Sequence, residues 1–190
     1  MKNLMLALLL IVLTGASIFG QNSDEYNKNE FFVGYLNHQI NDNGRETFNG
    51  FDVSFVRNVH RYFGVKADIS GSYFRNDSVE RRTFLKLDRS NYNVLGGIQM
   101  KNNLSKTRLQ PFAHLLAGVG QTRLKRTCVT CFLPDLKVTE TGLATAFGGG
   151  LDIKINKKIS LRAIQADYNP IYAGGQVNHN FRLGFGVVFR

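Results

Sequence analysis

The chain has 190 residues, and its 24 lysines and arginines against 14 aspartates and glutamates give a formal net charge of +10. The basic residues are scattered and form no dense tract, so nucleic-acid binding is not expected, whereas anionic lipid or lipopolysaccharide would suit the positive excess. With 19 glycines, 15 phenylalanines and only 3 prolines, the composition favours an all-β barrel over a helical bundle.

The N-terminal segment has the pattern of a secretory signal peptide. Lys2 supplies a positive charge, residues 4–13 form a continuous apolar run, and small residues follow. This run is too short to span a bilayer comfortably. The sequence therefore predicts a signal peptide over residues 1–20, cleaved after Gly20 or else after Ala16, then a polar lead-in over 21–29 and one domain over 30–190.

Eight segments with alternating apolar and polar side chains follow, which is the pattern of strands with two different faces. They begin near residues 30, 51, 63, 91, 110, 147, 159 and 181. Long polar segments and short turns alternate strictly between them, as in transmembrane barrels with long external loops and short periplasmic turns. The long segments cover residues 39–50, 75–90, 122–141 and 170–180.

The polar faces of these segments carry charges in mid-strand and are thinned by glycine and alanine. Behind a signal peptide, this pattern predicts the apolar face outside, towards lipid, and the polar face inside. A barrel of eight strands has an interior that side chains can fill, so we expect a salt-bridged plug rather than a pore lining. The predicted polar network of the lumen consists of Asp52, Lys66, Asp68, Asp152, Arg162, Gln165, Asp167 and Arg182.

The hairpin over residues 147–168 shows most clearly which side chains are predicted to face lipid and which the lumen. If Arg162 faces the lumen, strict alternation would turn Gln165 and Asp167 towards lipid. The sequence therefore predicts a β-bulge near Ala163-Ile164, which would aim both side chains inward. The alternation also predicts a periplasmic turn at Lys157 and Lys158. We expect the apolar face of the hairpin to face lipid and its polar face the lumen: Leu151, Ile153, Ile159 and Leu161 outward, Asp152 and Lys154 inward.

Aromatic residues fall at matching ends of the segments. Transmembrane barrels place two such girdles where each rim meets the lipid headgroups. The sequence predicts one girdle beside the long segments and one beside the short turns. The first comprises Phe51, Tyr73, Tyr92, Tyr168 and Phe181, and the second Phe63 and Phe189.

The region from about residue 30 to residue 190 resembles the bacterial outer-membrane β-barrel domain family, of the eight-stranded type similar to the OmpA transmembrane domain. Residues 111–120 (PFAHLLAGVG), 147–168 and 181–190 (FRLGFGVVFR) carry the resemblance. It implies an all-β, eight-stranded antiparallel up-and-down barrel in the outer membrane of a Gram-negative cell envelope, inserted by the outer-membrane assembly machinery. Such barrels usually end on an aromatic residue that is read during insertion, whereas here Phe189 precedes Arg190.

The two cysteines, Cys128 and Cys131, form a single C-x-x-C. Such a pair is only half of a zinc site, and no βαβ context supports a thioredoxin-like role. In an exported protein we expect a disulfide, which would close a small loop within the third long segment. Of the basic residues nearby, Arg123, Lys125 and Arg126 would either touch lipopolysaccharide phosphates or, as we expect, form a solvated loop.

The histidines are His38, His60, His114 and His179. None lies in a metalloprotease motif, and the chain lacks the His-x-Ser pair of barrels that remove acyl chains from lipid A. We therefore expect no enzyme, no cofactor and no metal, but a monomeric outer-membrane barrel with a structural or surface-interaction role, with or without a small pore. Two alternatives remain open: a lipid A-modifying barrel enzyme, and a soluble lipocalin-like calyx with an apolar lumen and a polar exterior.

Overall fold

The computed structural model describes residues 26–41, 45–80, 83–104, 107–128 and 135–190. Antiparallel strands make up almost all of these ranges. In chain order they are β1 (Asn29–Asn41), β2 (Arg45–Asn58), β3 (Phe63–Glu80), β4 (Thr83–Lys101), β5 (Leu109–Cys128), β6 (Leu136–Lys154), β7 (Ile159–Tyr168), β8 (Ile171–Ala173), β9 (Gln176–Asn178) and β10 (Asn180–Phe189). Within these ranges, no helix is long and apolar enough to cross a membrane.

The strands close into an eight-stranded barrel. From β1 to β7 each strand pairs with the next, and β10 pairs with both β7 and β1. The short strands β8 and β9 form a hairpin in which β8 pairs with β6 beyond the end of β7. Closure removes the free sheet edges that would otherwise expose unpaired backbone groups. This is the up-and-down antiparallel barrel that the sequence predicts.

The barrel has two different ends. At one, the turn end, short connections join β2 to β3, β4 to β5 and β6 to β7. The last of these turns holds Lys157 and Lys158, and the Oδ1 of Asn156 fixes it by accepting hydrogen bonds from the backbone N–H groups of Lys158 and Ile159 at 2.8 and 2.7 Å. At the other, the loop end, Gly174 and Gly175 have φ values of 59° and 78°, as a tight two-residue hairpin turn requires.

The long polar segments are largely strands rather than the loops that the sequence suggested. β3, β4, β5 and β6 contain 18, 19, 20 and 19 residues, although about 9–11 tilted residues suffice to cross a bilayer. Their pairing continues well beyond the barrel, where Arg75 lies opposite Asp88 and Lys125 opposite Lys137. Residues 75–78 are polar at every position, so the apolar alternation that reveals a strand in sequence is lost there while the backbone ladder continues.

The outward face of the barrel is an apolar belt. The predicted lipid-facing residues of the hairpin 147–168 lie on this face, and Leu161 is 40% exposed. Large side chains elsewhere on the belt are about half exposed: Val65, Ile69, Val94, Ile98, Leu115, Val119, Leu143 and Phe185. This is the arrangement of transmembrane barrels and the opposite of a soluble lipocalin-like calyx.

Aromatic residues border the apolar belt on both sides, and all the predicted girdle residues lie on the outward face. Near the loop end, the hydroxyl of Tyr92 donates to that of Tyr73 at 3.0 Å. The ring of Tyr168 lies 5.1 Å from Phe147 and 5.3 Å from Phe181. The row at the turn end includes Phe31, Phe55, Phe63 and Phe189.

The bulge that the sequence predicts is present in β7. Arg162 lies opposite Asp152, but the next pair along β6 joins Leu151 to Ile164, so Ala163 is the extra residue. Ala163 and Ile164 consequently both face outward. Beyond them the alternation resumes with its phase reversed, and Gln165 and Asp167 are only 1% and 3% exposed.

Candidate functional site

The barrel interior holds a balanced set of charged side chains. Among the described residues, the buried charges comprise five cations and five carboxylates, so they carry no formal net charge. Buried charges are costly unless they are paired, and these ten are arranged in connected clusters. They are Lys66, Lys101, Arg162, Arg182 and Arg190, with Glu30, Asp52, Asp68, Asp152 and Asp167.

Arg182 on β10 is the centre of the first cluster. Its guanidinium donates to the carboxylate of Asp167 at 2.9 Å and to that of Asp68 at 3.4 Å. Lys66 lies 3.2 Å from the other oxygen of Asp68, and the Nε2 of His114 lies 2.9 Å from Asp167. Four strands of the barrel, β3, β5, β7 and β10, thus meet at one point inside the lumen.

Arg162 on β7 forms the second cluster. Its Nε donates to Asp152 at 2.9 Å and its NH1 to the Oε1 of Gln165 at 2.8 Å. The guanidinium lies between two aromatic rings, 4.3 Å from the centre of Phe32 and 4.1 Å from that of Phe112. A desolvated cation between two ring faces is attracted by both of them. The side chain is therefore held on every side by protein groups.

Gln165 connects the two clusters, and its position depends on the bulge. While its Oε1 accepts from Arg162, its Nε2 donates to Asp52 at 3.2 Å and to Asp167 at 2.9 Å. The eight residues of the predicted lumen network therefore all lie inside the barrel, and hydrogen bonds or ion pairs join them.

A third cluster lies at the turn end and was missed in the sequence. The Nζ of Lys101 donates to Glu30 at 2.9 and 3.0 Å and to Asp152 at 2.8 Å. Arg190 lies 3.0 Å from Glu30 and donates to Gln110 at 2.6 Å. Glu30, Gln110 and Arg190 lie at the ends of predicted strands, and Lys101 follows one by a single residue. Their faces were not recognised as inward because they also carry the buried apolar residues Phe32, Phe112 and Val188.

The lumen is not uniformly polar, which the sequence analysis did not anticipate. A buried apolar cluster lies on the side formed by β4, β5, β6 and β8: Leu95, Leu116, Ala144, Ala146 and Ile171. β5 has apolar residues on both faces, so its inward face cannot be identified from hydrophobicity alone. The interior of the barrel thus contains this apolar cluster beside the ionic clusters.

A cavity of about 180 Å³ lies above this apolar cluster, at the loop end. Asn91 and Asn180 are on its surface and are each only 1% exposed. Both amide atoms of Asn91 and the Oδ1 of Asn180 have no hydrogen-bond partner within the described ranges. The other lining residues are Phe48, Arg89, Thr122, Leu124, Val138, Glu140, Ile171 and Asn178. We call this cavity the vestibule.

The outward face of the extended strands carries a basic row, which we define as Arg75, Arg123, Lys125 and Lys137. Arg75, Lys125 and Lys137 lie side by side across the sheet, with Asp88 between the first two. Arg123 lies next to them, 5.7 Å from the ring of Tyr92. The row borders a groove of about 750 Å³ directly beyond the Tyr73–Tyr92 pair.

The remaining residues singled out in the sequence are dispersed. Arg126 lies on the face of β5 opposite to Arg123 and Lys125, because alternation separates neighbours in a strand. Cys131 and the side chain of Cys128 lie outside the described residues, so their disulfide stays a prediction. In the described part of the chain, no group of three or more potential ligands is placed to hold a metal ion.

The four histidines occupy different environments. His38 and His114 are buried in the lumen, where the Nδ1 of His38 lies 3.0 Å from the hydroxyl of Ser72. His60 is exposed in a turn. His179 at the loop end is hydrogen-bonded to the hydroxyl of Tyr168.

Solved structures share this architecture. The chain has the fold of the eight-stranded outer-membrane β-barrels. The structure of Ail, the attachment invasion locus protein of Yersinia pestis, in complex with the heparin analogue sucrose octasulfate, is similar with a TM-score of 0.61 and 17% identity, over 85% of this chain and 97% of Ail. Neisserial surface protein A (NspA) is similar with a TM-score of 0.60 and 12% identity, over 87% of this chain and 99% of NspA. No protein-family model matches the chain, and no curated protein matches it.

Proposed function

We propose that this protein is an outer-membrane barrel with a surface-interaction role, directed to export by residues 1–20. The distribution of side chains carries the proposal. The apolar belt between two aromatic rows suits a bilayer, while ten charges are buried inside. In water the apolar belt would stay exposed to solvent, which is unfavourable, and no contact among the residues that the structure describes would compensate for it.

Membrane fractionation tests this placement. We expect the protein in the outer-membrane fraction, and we expect it to migrate differently on a gel before and after boiling, because the closed barrel resists the detergent. Recovery from the aqueous periplasmic extract would overturn the proposal. As a control, the Leu115→Arg variant places a charge on the apolar belt and should reduce the membrane-bound fraction.

We further propose that the lumen is closed and conducts no ions. Arg162, Gln165 and Arg182 cross-link strands on different sides of the barrel, and the apolar cluster fills the space beside them. Conductance across a planar bilayer tests this point. A discrete open state in the wild-type protein would overturn it, whereas an open state only in the Arg162→Glu variant would support a plug formed by the network.

The basic row suggests which membrane component the barrel contacts. Its four cations lie directly beyond the tyrosine pair, at the height where headgroups meet the barrel wall, and one carboxylate, Asp88, partly offsets them. Lysine and arginine at this height attract anionic headgroups. We propose that the row binds phosphate groups of lipopolysaccharide in the outer leaflet.

A charge-matched pair of variants tests the row. Arg123→Gln with Lys125→Gln should lower binding of the purified barrel to phosphorylated lipid A in nanodiscs by about thirtyfold, since each of the two contacts contributes about 1 kcal/mol. Lys157→Gln with Lys158→Gln removes the same charge at the turn end and should have little effect. Equal losses in both double variants would mean that only net charge matters.

Dephosphorylated lipid A should bind the wild-type barrel and the Arg123/Lys125 variant equally. Sucrose octasulfate, the heparin analogue bound to Ail, serves as a competitor: displacement of lipid A would indicate recognition of anionic groups in general. We propose no catalytic role for the barrel, because its histidines form no common site: His38 and His114 face the lumen, and His60 and His179 lie at opposite ends of the barrel. We also propose a monomer, inserted by the outer-membrane assembly machinery.

A further inference from the structure

The vestibule at the loop end contains buried polar groups that have no hydrogen-bond partner among the residues that the structure describes. Asn91 offers two donors and an acceptor, and Asn180 an acceptor, from side chains that are almost fully buried. Buried polar groups without partners are uncommon, and each costs about 1–3 kcal/mol of desolvation. Something that supplies both donors and acceptors would therefore gain by entering this cavity.

Part of the vestibule wall is apolar. Phe48 is 1% exposed, and its ring centre lies 5.2 Å from that of Phe74 in a tilted arrangement. Leu124, Val138 and Ile171 complete the apolar lining. Small-molecule sites have this composition, in which apolar walls surround a few convergent polar groups that fix orientation.

The charges near the vestibule do not favour an anion. The guanidinium of Arg89 is already paired with Glu46 at 2.6 Å. Glu140 adds a negative charge on the opposite wall. A ligand that matches the site is therefore uncharged, with hydroxyl groups for the two amides and an apolar C–H face for Phe48.

The volume of the vestibule limits the size of the ligand that it can hold. The volume of about 180 Å³ is below the roughly 300–1,000 Å³ of drug-sized pockets. It nevertheless exceeds the space of a single water, which needs about 10–15 Å³ by the same measure. The vestibule thus has room for one six-membered ring.

We propose that the vestibule is a binding site for a neutral polyhydroxylated ring, such as a monosaccharide or a terminal sugar unit. The amides of Asn91 and Asn180 would bind its hydroxyl groups, and Phe48 its C–H face. The site is distinct from the basic row, which lies on the other face of the extended strands. This inference depends on the proposed membrane placement in one respect only, namely that the vestibule opens towards the outside of the cell.

Titration of the ¹⁵N-labelled barrel tests the site, with glucose, N-acetylglucosamine and myo-inositol as probes. The detergent should be lauryldimethylamine oxide, whose headgroup is not a sugar. We expect at least one probe to shift the side-chain amide signals of Asn91 and Asn180 in a saturable way. Since the assay uses the purified barrel, a negative result leaves the fractionation test untouched, and the two proposals can fail separately.

Two variants and a matched control make the titration decisive. Leu124→Phe fills the vestibule from its wall, and Asn91→Leu removes the buried amide; each should weaken binding at least about tenfold, the loss of roughly 1.4 kcal/mol. Leu143→Phe makes the same change as the first variant on the outward face of β6, and should leave binding unchanged.

Three results would overturn the proposal. One is the absence of saturable shifts with all three probes well above millimolar concentration, which would mean that the vestibule holds water only. Another is equal binding by Leu124→Phe and the wild type. The third is equal weakening by Leu124→Phe and Leu143→Phe. Since Leu124 lies in the extended part of β5 and belongs to none of the three ionic clusters, its substitution should leave the barrel folded even if Asn91→Leu does not fold.

Discussion

Arg162→Met is expected to be among the most damaging single substitutions in the lumen. The side chain is 1% exposed, donates to Asp152 at 2.9 Å and lies between two aromatic rings. Removing one partner of a buried ion pair costs about 3–5 kcal/mol, because the other charge stays buried. In the variant, Lys101 still binds Asp152 at 2.8 Å, which reduces the loss of stability. Removal of the cation from between the two rings increases that loss.

Urea titration in lipid vesicles, followed by gel mobility, measures this loss. For a slope of about 1–3 kcal/mol per M, the unfolding midpoint should fall by at least about 1 M. Arg75→Met is the matched control, since Arg75 donates to Asp88 with nearly the same geometry, at 2.8 Å, but is 77% exposed. An exposed pair contributes at most about 1 kcal/mol.

The comparison isolates burial as the cause. If both variants shift the midpoint equally, the lumen pair contributes no more than a surface pair and the reasoning is refuted. Arg162→Lys refines the test, because lysine keeps the charge but loses the planar group that fits between two rings. Its midpoint should fall between those of the wild type and Arg162→Met.

Three further outcomes are expected from the same urea assay. Gly97→Ala should destabilise the barrel by about 1–3 kcal/mol through overpacking, because a Cβ there would clash with the carbonyl oxygen of Leu115. Gly96→Ala should be neutral, since the nearest atom to its Cβ is 4.0 Å away. Leu115→Arg should cost about 2–4 kcal/mol in vesicles if its site is near the bilayer midplane, and a loss below that of Arg75→Met would count against the apolar belt facing lipid. Arg190→Met and Glu30→Gln should show non-additive losses in a double-mutant cycle, because the two side chains lie 3.0 Å apart; strict additivity would exclude their coupling.

The strands and their faces could be predicted because one side of each strand contacts lipid and must be apolar, whereas the other side faces the lumen and carries polar groups. The bulge was predictable for the same reason, since Gln165 and Asp167 could not face lipid beyond Arg162. One extra residue, Ala163, shifts the inward–outward alternation and is enough to turn both polar side chains towards the lumen. The direction of a side chain can thus be predicted from sequence where the wrong face would bury a charge in lipid.

The rest depended on information that a single sequence lacks. Residues 75–78 (RNDS) are polar at every position, so nothing in the sequence distinguished a paired strand from a loop. The pairing of Arg182 with Asp68 depends on how far β10 is staggered against β3, which only the closed barrel defines. The vestibule could not be anticipated either, because Asn91 and Asn180 are 89 positions apart and meet only across the lumen.

The lumen network has a consequence for assembly. Asp52 and Gln165 are 113 positions apart, Asp68 and Arg182 are 114 apart, and Glu30 and Lys101 are 71 apart. None of these pairs can form within one hairpin, and such distant contacts form late because the loop must close first. A half-rolled sheet would therefore keep its charges solvated by water at its open seam. We expect the joining of β10 to β1 to expel that water and lock the barrel in one cooperative step.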